Sequence, residues 1–254
     1  MCQTPDWSLG DKYLRENAPE LAPLISKYAP CPLQARPQAE YFGILLTGII
    51  SQQLPPEVSQ ALLQKLEKLA GKPITPEAIL QISPEALLAL GFNQQKITYL
   101  TGFAQAVASG TIDMSKFAEM TDSQITKQLL TVRGLGQWTI EMFLLLGLCR
   151  PDVVPSADYI FKKELQQLLH LPELPKRGVI NKVTEPWRPW RSLVVWYLWQ
   201  HANEKYTLPC LPHWGRWRRK ATERGFFEQN VTHELKQLPT VYAAGSSFLC
   251  ILKI

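Results

Sequence analysis

Leu129-Leu130-Thr131-Val132-Arg133-Gly134-Leu135-Gly136-Gln137-Trp138-Thr139 is the stretch on which the fold turns. A helix leads into it: Thr121-Asp122-Ser123 is a helix start, and Ile125, Leu129 and Leu130 follow at helical intervals. A second helix is predicted to leave it over 137–148. Between the two, glycines one residue apart let the backbone turn tightly and come close to another group. Because the second helix begins at once, its unpaired amides and the positive end of its dipole face the turn, which suits a phosphate oxygen. Leu135 can tuck back between the helices and lock them. An ordinary helical corner with glycine as C-cap fits the same residues. Taken alone, the segment points to a DNA backbone and to no reaction.

Twenty residues beyond Trp138 stands Asp158, after the Pro-bounded loop Arg150–Ala157 and at the head of a helix predicted over 158–169. Its simplest reading is an N-cap, with Ser156 as a competitor. Upstream, Tyr41–Ile50 is apolar and runs into Ser51-Gln52-Gln53-Leu54-Pro55-Pro56, after which Val58, Leu62, Leu63, Leu66 and Leu69 recur at helical spacing. Thr75-Pro76-Glu77 and Ser83-Pro84-Glu85 each set a capping hydroxyl before a proline at the first helical position. Gly91-Phe92 closes the second of these helices, Asn93 to Ala108 reads as another, and a last one spans Trp190 to Ala202. Strand alternation is scarce, so the expectation is an all-α chain of roughly ten short helices.

The chain has 254 residues, 46% hydrophobic and 19% charged, a globular balance. Its five cysteines are scattered without a CxxC pair, which argues against a zinc knuckle, an iron–sulfur cluster or a disulfide framework. No signal peptide and no membrane span is expected, and the expected setting is the cytoplasm, at a bacterial nucleoid, or a nucleus. Net charge is +5. From Glu204 onward eight Lys/Arg face four Glu, so 8 − 4 = +4 lies in that end alone and the body is nearly neutral. Bulk electrostatics therefore do not identify a nucleic-acid binder, and a DNA reading rests on the hairpin. Residues 1–40 read as an N-terminal segment packing on a core of 41–203. Residues 204–254 read as a basic, aromatic tail around Trp214–Lys220, a run that could touch DNA or simply be solvated.

Four segments, in order, carry a family resemblance over roughly Tyr41 to Asn203. Ile49-Ile50-Ser51-Gln52-Gln53-Leu54, Gly134-Leu135-Gly136-Gln137-Trp138-Thr139, Asp152-Val153-Val154-Pro155 through Asp158, and Trp187-Arg188-Pro189-Trp190-Arg191-Ser192 with Trp196-Tyr197-Leu198-Trp199 resemble the helix-hairpin-helix DNA glycosylase superfamily. Within it they are closest to the 3-methyladenine DNA glycosylase II family. The resemblance implies two helical subdomains with the active-site cleft between them, and base-excision repair of alkylated purines in duplex DNA by a monomer. It makes Asp158 the catalytic carboxylate and assigns Trp138, Tyr159 and Trp199 to the base pocket, although Trp199 fits a core position equally well. Arg133, Gly134, Leu135, Gly136, Gln137 and Thr139 become the DNA-binding hairpin. Gln53 or Leu54 becomes the wedge that fills the gap left by the base, against the alternative of a plain helix end before Pro55. Backbone carbonyls of Leu130, Val132 and Gly134 become ligands of a structural Na+ or K+, with no cofactor required.

Strand-cutting relatives place a lysine nucleophile where this chain has Trp138, so hydrolysis without lyase activity is implied. Lys162 and Lys163, one turn past Asp158, read as helix-surface or phosphate-facing residues. Met142 replaces an aromatic of some relatives, Pro55 a small hydroxyl residue and Arg133 a frequent proline. These departures leave open a same-fold glycosylase for another damaged base and an inactive DNA-binding module.

Overall fold

A computed structural model describes residues 3–206. The segments Trp214–Lys220 and Ser246–Ile254 fall outside the described residues, as do Cys2, Cys210 and Cys250. Among the described residues every regular element is a helix. In chain order these are α1 (Trp7–Asn17), α2 (Ala22–Tyr28), α3 (Tyr41–Ser51), α4 (Pro56–Ala70), α5 (Pro76–Gln81), α6 (Pro84–Leu90), α7 (Gln94–Ala108), α8 (Asp122–Leu129), α9 (Gln137–Met142), α10 (Tyr159–Leu168), α11 (Arg177–Val183) and α12 (Arg191–Tyr206). No helix among them is long and apolar enough to cross a membrane.

The helix starts follow local chemistry. Thr75, Ser83 and Asn93 accept the amides of Ala78, Ala86 and Lys96 through their side chains, and Thr121 forms a capping box with Gln124. Each such cap satisfies an amide that the helix itself leaves unpaired. The apolar Tyr41–Ile50 run is central: every residue of α3 except Gly43 is buried, as a helix apolar on all sides requires. Around it gather α4, α7 and α9, with α5 and α6 on α7 and α8 against α9. Phe42 stacks on Phe103 of α7 at 4.9 Å between ring centroids. The two chain-distant ends form a second lobe, in which α2 and α10 pack with α12, and α1 packs on α2 and reaches α12 through Gly10 beside Leu193 and Asp11 on Tyr197.

Three boundaries differ from the sequence reading. The helix predicted over 137–148 stops at Met142 and widens into a π-helical turn, Phe143–Gly147. Gly147 lies so close to the Phe143 ring that a Cβ there would sit 2.7 Å from Phe143 Cδ2, and its carbonyl accepts the Arg36 amide at 2.8 Å. The helix predicted over 158–169 runs Tyr159–Leu168, with Asp158 as its N-cap, as its simplest reading expected, and Ser156 not the cap. The last helix begins at Arg191 and runs on to Tyr206, three residues into the stretch set apart by its charge.

Candidate functional site

Asp158 is 3% exposed. Its Oδ1 accepts the Phe161 amide at 2.7 Å and the indole N–H of Trp199, on α12, at 3.2 Å. The Trp138 indole also donates to the carboxyl, and the Ile160 amide contributes. Burial pushes the Asp158 pKa up against these donors, which pull it down. The helix N-terminus therefore moderates the cost of the charge without making this an ordinary, readily ionised aspartate.

The loop before Asp158 is fastened to the start of α12. Arg191 grips Asp152 with Nε at 2.5 Å and Nη2 at 2.9 Å, and Arg188 adds Nη1 at 2.6 Å. Ser192 Oγ donates to the Arg150 carbonyl at 2.6 Å and accepts the Val153 amide at 2.9 Å. A forked, low-exposure ion pair of this kind fixes orientation as well as distance. Arg191→Ala is therefore expected to cost about 2 kcal/mol in a denaturant melt, because truncation removes the forked charged hydrogen bonds and leaves the Asp152 carboxylate to Arg188 alone. It should slow turnover along with it, since Asp158 hangs from the same loop.

The hairpin joins α8 to α9. Gly134 has φ +99°, and a Cβ there would lie 2.6 Å from Cγ of Tyr99, whose ring packs on it. Gly136 differs: its φ is −95°, and nothing lies within 4 Å of the Cβ it lacks. It caps α9 with no side-chain bond and is itself exposed, so the first amides of that helix have no capping side chain. Leu135 is buried between the helices, and Arg133 is exposed beside them. Two assigned residues face inward instead. Thr139 is 1% exposed and bonded by Gln52, and the Gln137 side chain turns back to Glu141 Oε1 at 2.9 Å. The hydroxyl of Thr139 thus has no route to a DNA phosphate.

Gln52 was not among the assigned residues, yet it links wedge and hairpin. Its Nε2 donates to the Gly134 carbonyl at 2.8 Å and to Thr139 Oγ1 at 3.3 Å. Next to it Gln53 is exposed in a left-handed conformation, φ 58°, while Leu54 is half-buried against the core. Of the two wedge candidates, Gln53 is the one presented to solvent.

Trp138 is partly buried with its indole on the Asp158 carboxyl, and Tyr159, the next residue along the chain from Asp158, is partly buried as well. Trp199 corrects its assignment: at 0% exposure it offers no ring face to a base, and its contribution is the N–H on Asp158. Met142 is likewise fully buried, a core residue and not a pocket wall. Of the candidate cation ligands, the Val132 and Gly134 carbonyls already accept the Leu135 amide and Gln52 Nε2, each keeping one lone pair. Among the described residues no His, Cys, Asp or Glu cluster could hold a metal.

A model of the HhH-GPD superfamily of base excision DNA repair proteins matches residues 46–189, more than half of the chain. DNA-3-methyladenine glycosylase 1 of Schizosaccharomyces pombe is 31% identical over 203 residues, covering 78% of this chain and 88% of that protein. The solved 3-methyladenine DNA glycosylase (Mag1) of the same species, in complex with abasic DNA, is similar at TM-score 0.66 and 28% identity, covering 77% of this chain and 97% of that one. A DNA-3-methyladenine glycosidase from Bacillus halodurans is similar at TM-score 0.67 and 26% identity, covering 75% and 87%. The all-helical order agrees with these matches, and the chain belongs to the HhH-GPD superfamily of base excision DNA repair proteins and, within it, to the 3-methyladenine DNA glycosylase family.

Proposed function

We propose that the protein is a monofunctional DNA glycosylase that hydrolyses the N-glycosidic bond of alkylated purines, such as 3-methyladenine, in duplex DNA. The observation that carries this reading is the buried Asp158 carboxyl, held by two indole N–H groups beside a hairpin whose outer face is open. An N-alkylated purine is already cationic and leaves readily. The demanding partner is the oxocarbenium-like sugar, which a fixed carboxylate stabilises while orienting a water on it. Ionised Asp158 serves both ends. The target must first be swung out of the stack. Trp138, at the carboxylate, and Tyr159, next to Asp158 in the chain, are both partly exposed and then stack on a cationic ring for about 1–3 kcal/mol each.

The amides at the start of α9, left without a capping side chain, and the Arg133 guanidinium receive the DNA backbone, and Gln53 fills the gap left by the base. Carbonyls of Leu130, Val132 and Gly134, with lone pairs to spare, would hold a structural Na+ or K+ between hairpin and phosphate. Carbonyl oxygens alone suit such an ion and not a catalytic transition metal. We take the enzyme to act as a monomer wherever the genome lies, at a nucleoid or in a nucleus. An indole in place of an amine at position 138 supports hydrolysis without strand cleavage, since an indole forms no Schiff base.

The test is incubation with methylated duplex DNA. Free 3-methyladenine or 7-methylguanine should appear with strands intact, and borohydride should trap no covalent complex. Strand nicking with a trapped complex would overturn the monofunctional assignment. DNA binding without base release would reduce the protein to a binding module.

A further inference from the structure

The C-terminal end of α3 should be an expensive place to end a helix. Ile49 and Ile50 are fully buried, and the chain leaves the helix through Gln52, turning sharply at Gln53, so the helix does not continue over its last carbonyls. The Ser51 carbonyl accepts the Leu54 amide at 3.3 Å, and those of Ile49, Ile50 and Gln52 fall to one side chain. Lys96 Nζ, on α7 and 9% exposed, donates to the carbonyls of Ile49 and Ile50 at 2.8 Å each and of Gln52 at 2.9 Å. All three ammonium protons are used, at the negative end of the helix dipole. One turn further along α7, Tyr99 packs on Gly134 of the hairpin. The same helix therefore touches both DNA-facing elements, and Gln52 joins them, its carbonyl on Lys96 and its side chain on the Gly134 carbonyl.

We propose that Lys96 is a positioning residue for base extrusion: its ammonium holds the Gln52–Gln53 turn at a fixed distance from the hairpin, so that Gln53 enters the duplex while the hairpin grips the backbone. This rests on the assignment of Gln53 as the wedge. A lysine serving only as a helix cap would alter stability alone. A positioning lysine alters extrusion at unchanged affinity.

The experiment uses the full-length protein and a duplex carrying 2-aminopurine beside an abasic-site analogue. Fluorescence reports unstacking and anisotropy reports affinity, both independent of base release. Lys96→Met keeps the stem without donors. Lys96→Gln, with one amide, accompanies it in case the first does not fold, and Gln53→Ala tests the wedge itself. The expected result is an unstacking equilibrium reduced on the order of tenfold in Lys96→Met, the size of the charged hydrogen bond lost at the Gln52 carbonyl, with affinity for the duplex unchanged. Gln53→Ala should match it. If Gln53→Ala loses the signal and Lys96→Met keeps it, the role of Lys96 is overturned while the wedge stands. If the parent or Gln53→Ala shows no wedge-dependent signal, the wedge assignment falls and takes the proposal with it. Parallel loss of affinity, unstacking and melting temperature, or failure of both lysine variants to fold, would make Lys96 purely structural and overturn the proposal.

Discussion

Asp158→Asn should abolish base release and at the same time make the protein more resistant to heat. The loss of activity is expected at about 10³-fold or more, because an amide cannot stabilise a cationic sugar as a carboxylate does. The gain in stability follows from the environment of the carboxyl. Burial raises its pKa in the folded state above the unfolded value. Between those two pKa values the native protein binds more protons than the unfolded chain, so stability falls as pH rises through the window, and the full penalty persists above it. Asparagine carries no charge and keeps an oxygen for the Phe161 amide. The melting temperature at neutral pH should rise, each kcal/mol of relieved penalty being worth about 3 °C in a domain of this size. That difference should vanish in acid, below the unfolded pKa, where the parent aspartate is protonated in both states. Scanning calorimetry of both proteins across pH checks it. An Asp158→Asn variant that melts lower at neutral pH would mean that the charge is fully compensated by its indole and amide donors. The acid limb of kcat/KM should lie above the usual aspartate range for the same reason.

The two hairpin glycines should separate folding from DNA binding. Gly134→Ala forces an L side chain into φ +99° and drives its Cβ to 2.6 Å from the Tyr99 ring. Left-handed backbone costs roughly 1–2 kcal/mol and overpacking typically 1–3 more, so a loss of about 3 kcal/mol is expected. Gly136→Ala meets neither obstacle and should stay within about 0.5 kcal/mol of the parent in urea melts. Its added methyl stands on the open surface at the head of α9, where a phosphate would approach. Affinity for duplex DNA should fall on the order of tenfold, with stability intact. If Gly136→Ala binds as tightly as the parent, the backbone of this turn is not where DNA comes closest.

Local chemistry made much of this architecture readable. Thr75, Ser83 and Thr121 announce their helices because a capping oxygen acts within three residues of itself, and the hairpin glycines and Asp158 sit in short segments with a mechanism of their own. What escaped depends on residues far apart in the chain. Trp199 reads equally well as a stacking face or a core ring until its N–H is seen on Asp158, 41 residues away. Lys96 looks like any helix-surface lysine, since nothing nearby reveals that the α3 carbonyls, 44 to 47 residues upstream, need it. Gln52 and Gln53 are adjacent and alike, and only backbone geometry sends one inward to the hairpin and the other out to solvent. The π-turn at Phe143–Gly147 left no periodic trace, because an apolar run satisfies either helix width.

The lobe that carries Asp158 is sewn together from the two extremes of the described chain. Tyr197 meets Asp11, Trp187 meets Glu20 at 3.0 Å and Tyr28 meets Glu204 at 2.6 Å, spans of 167 to 186 residues. The hairpin lobe closes within α3–α9. On the ribosome, then, a chain can complete its hairpin lobe long before α12 emerges, while α1 and α2 wait for their partner. The hairpin is assembled first and the setting of the carboxylate last, so a truncated product ending before α12 keeps the hairpin sequence but lacks Trp199, the Arg191 fork on Asp152 and the buried surroundings of Asp158.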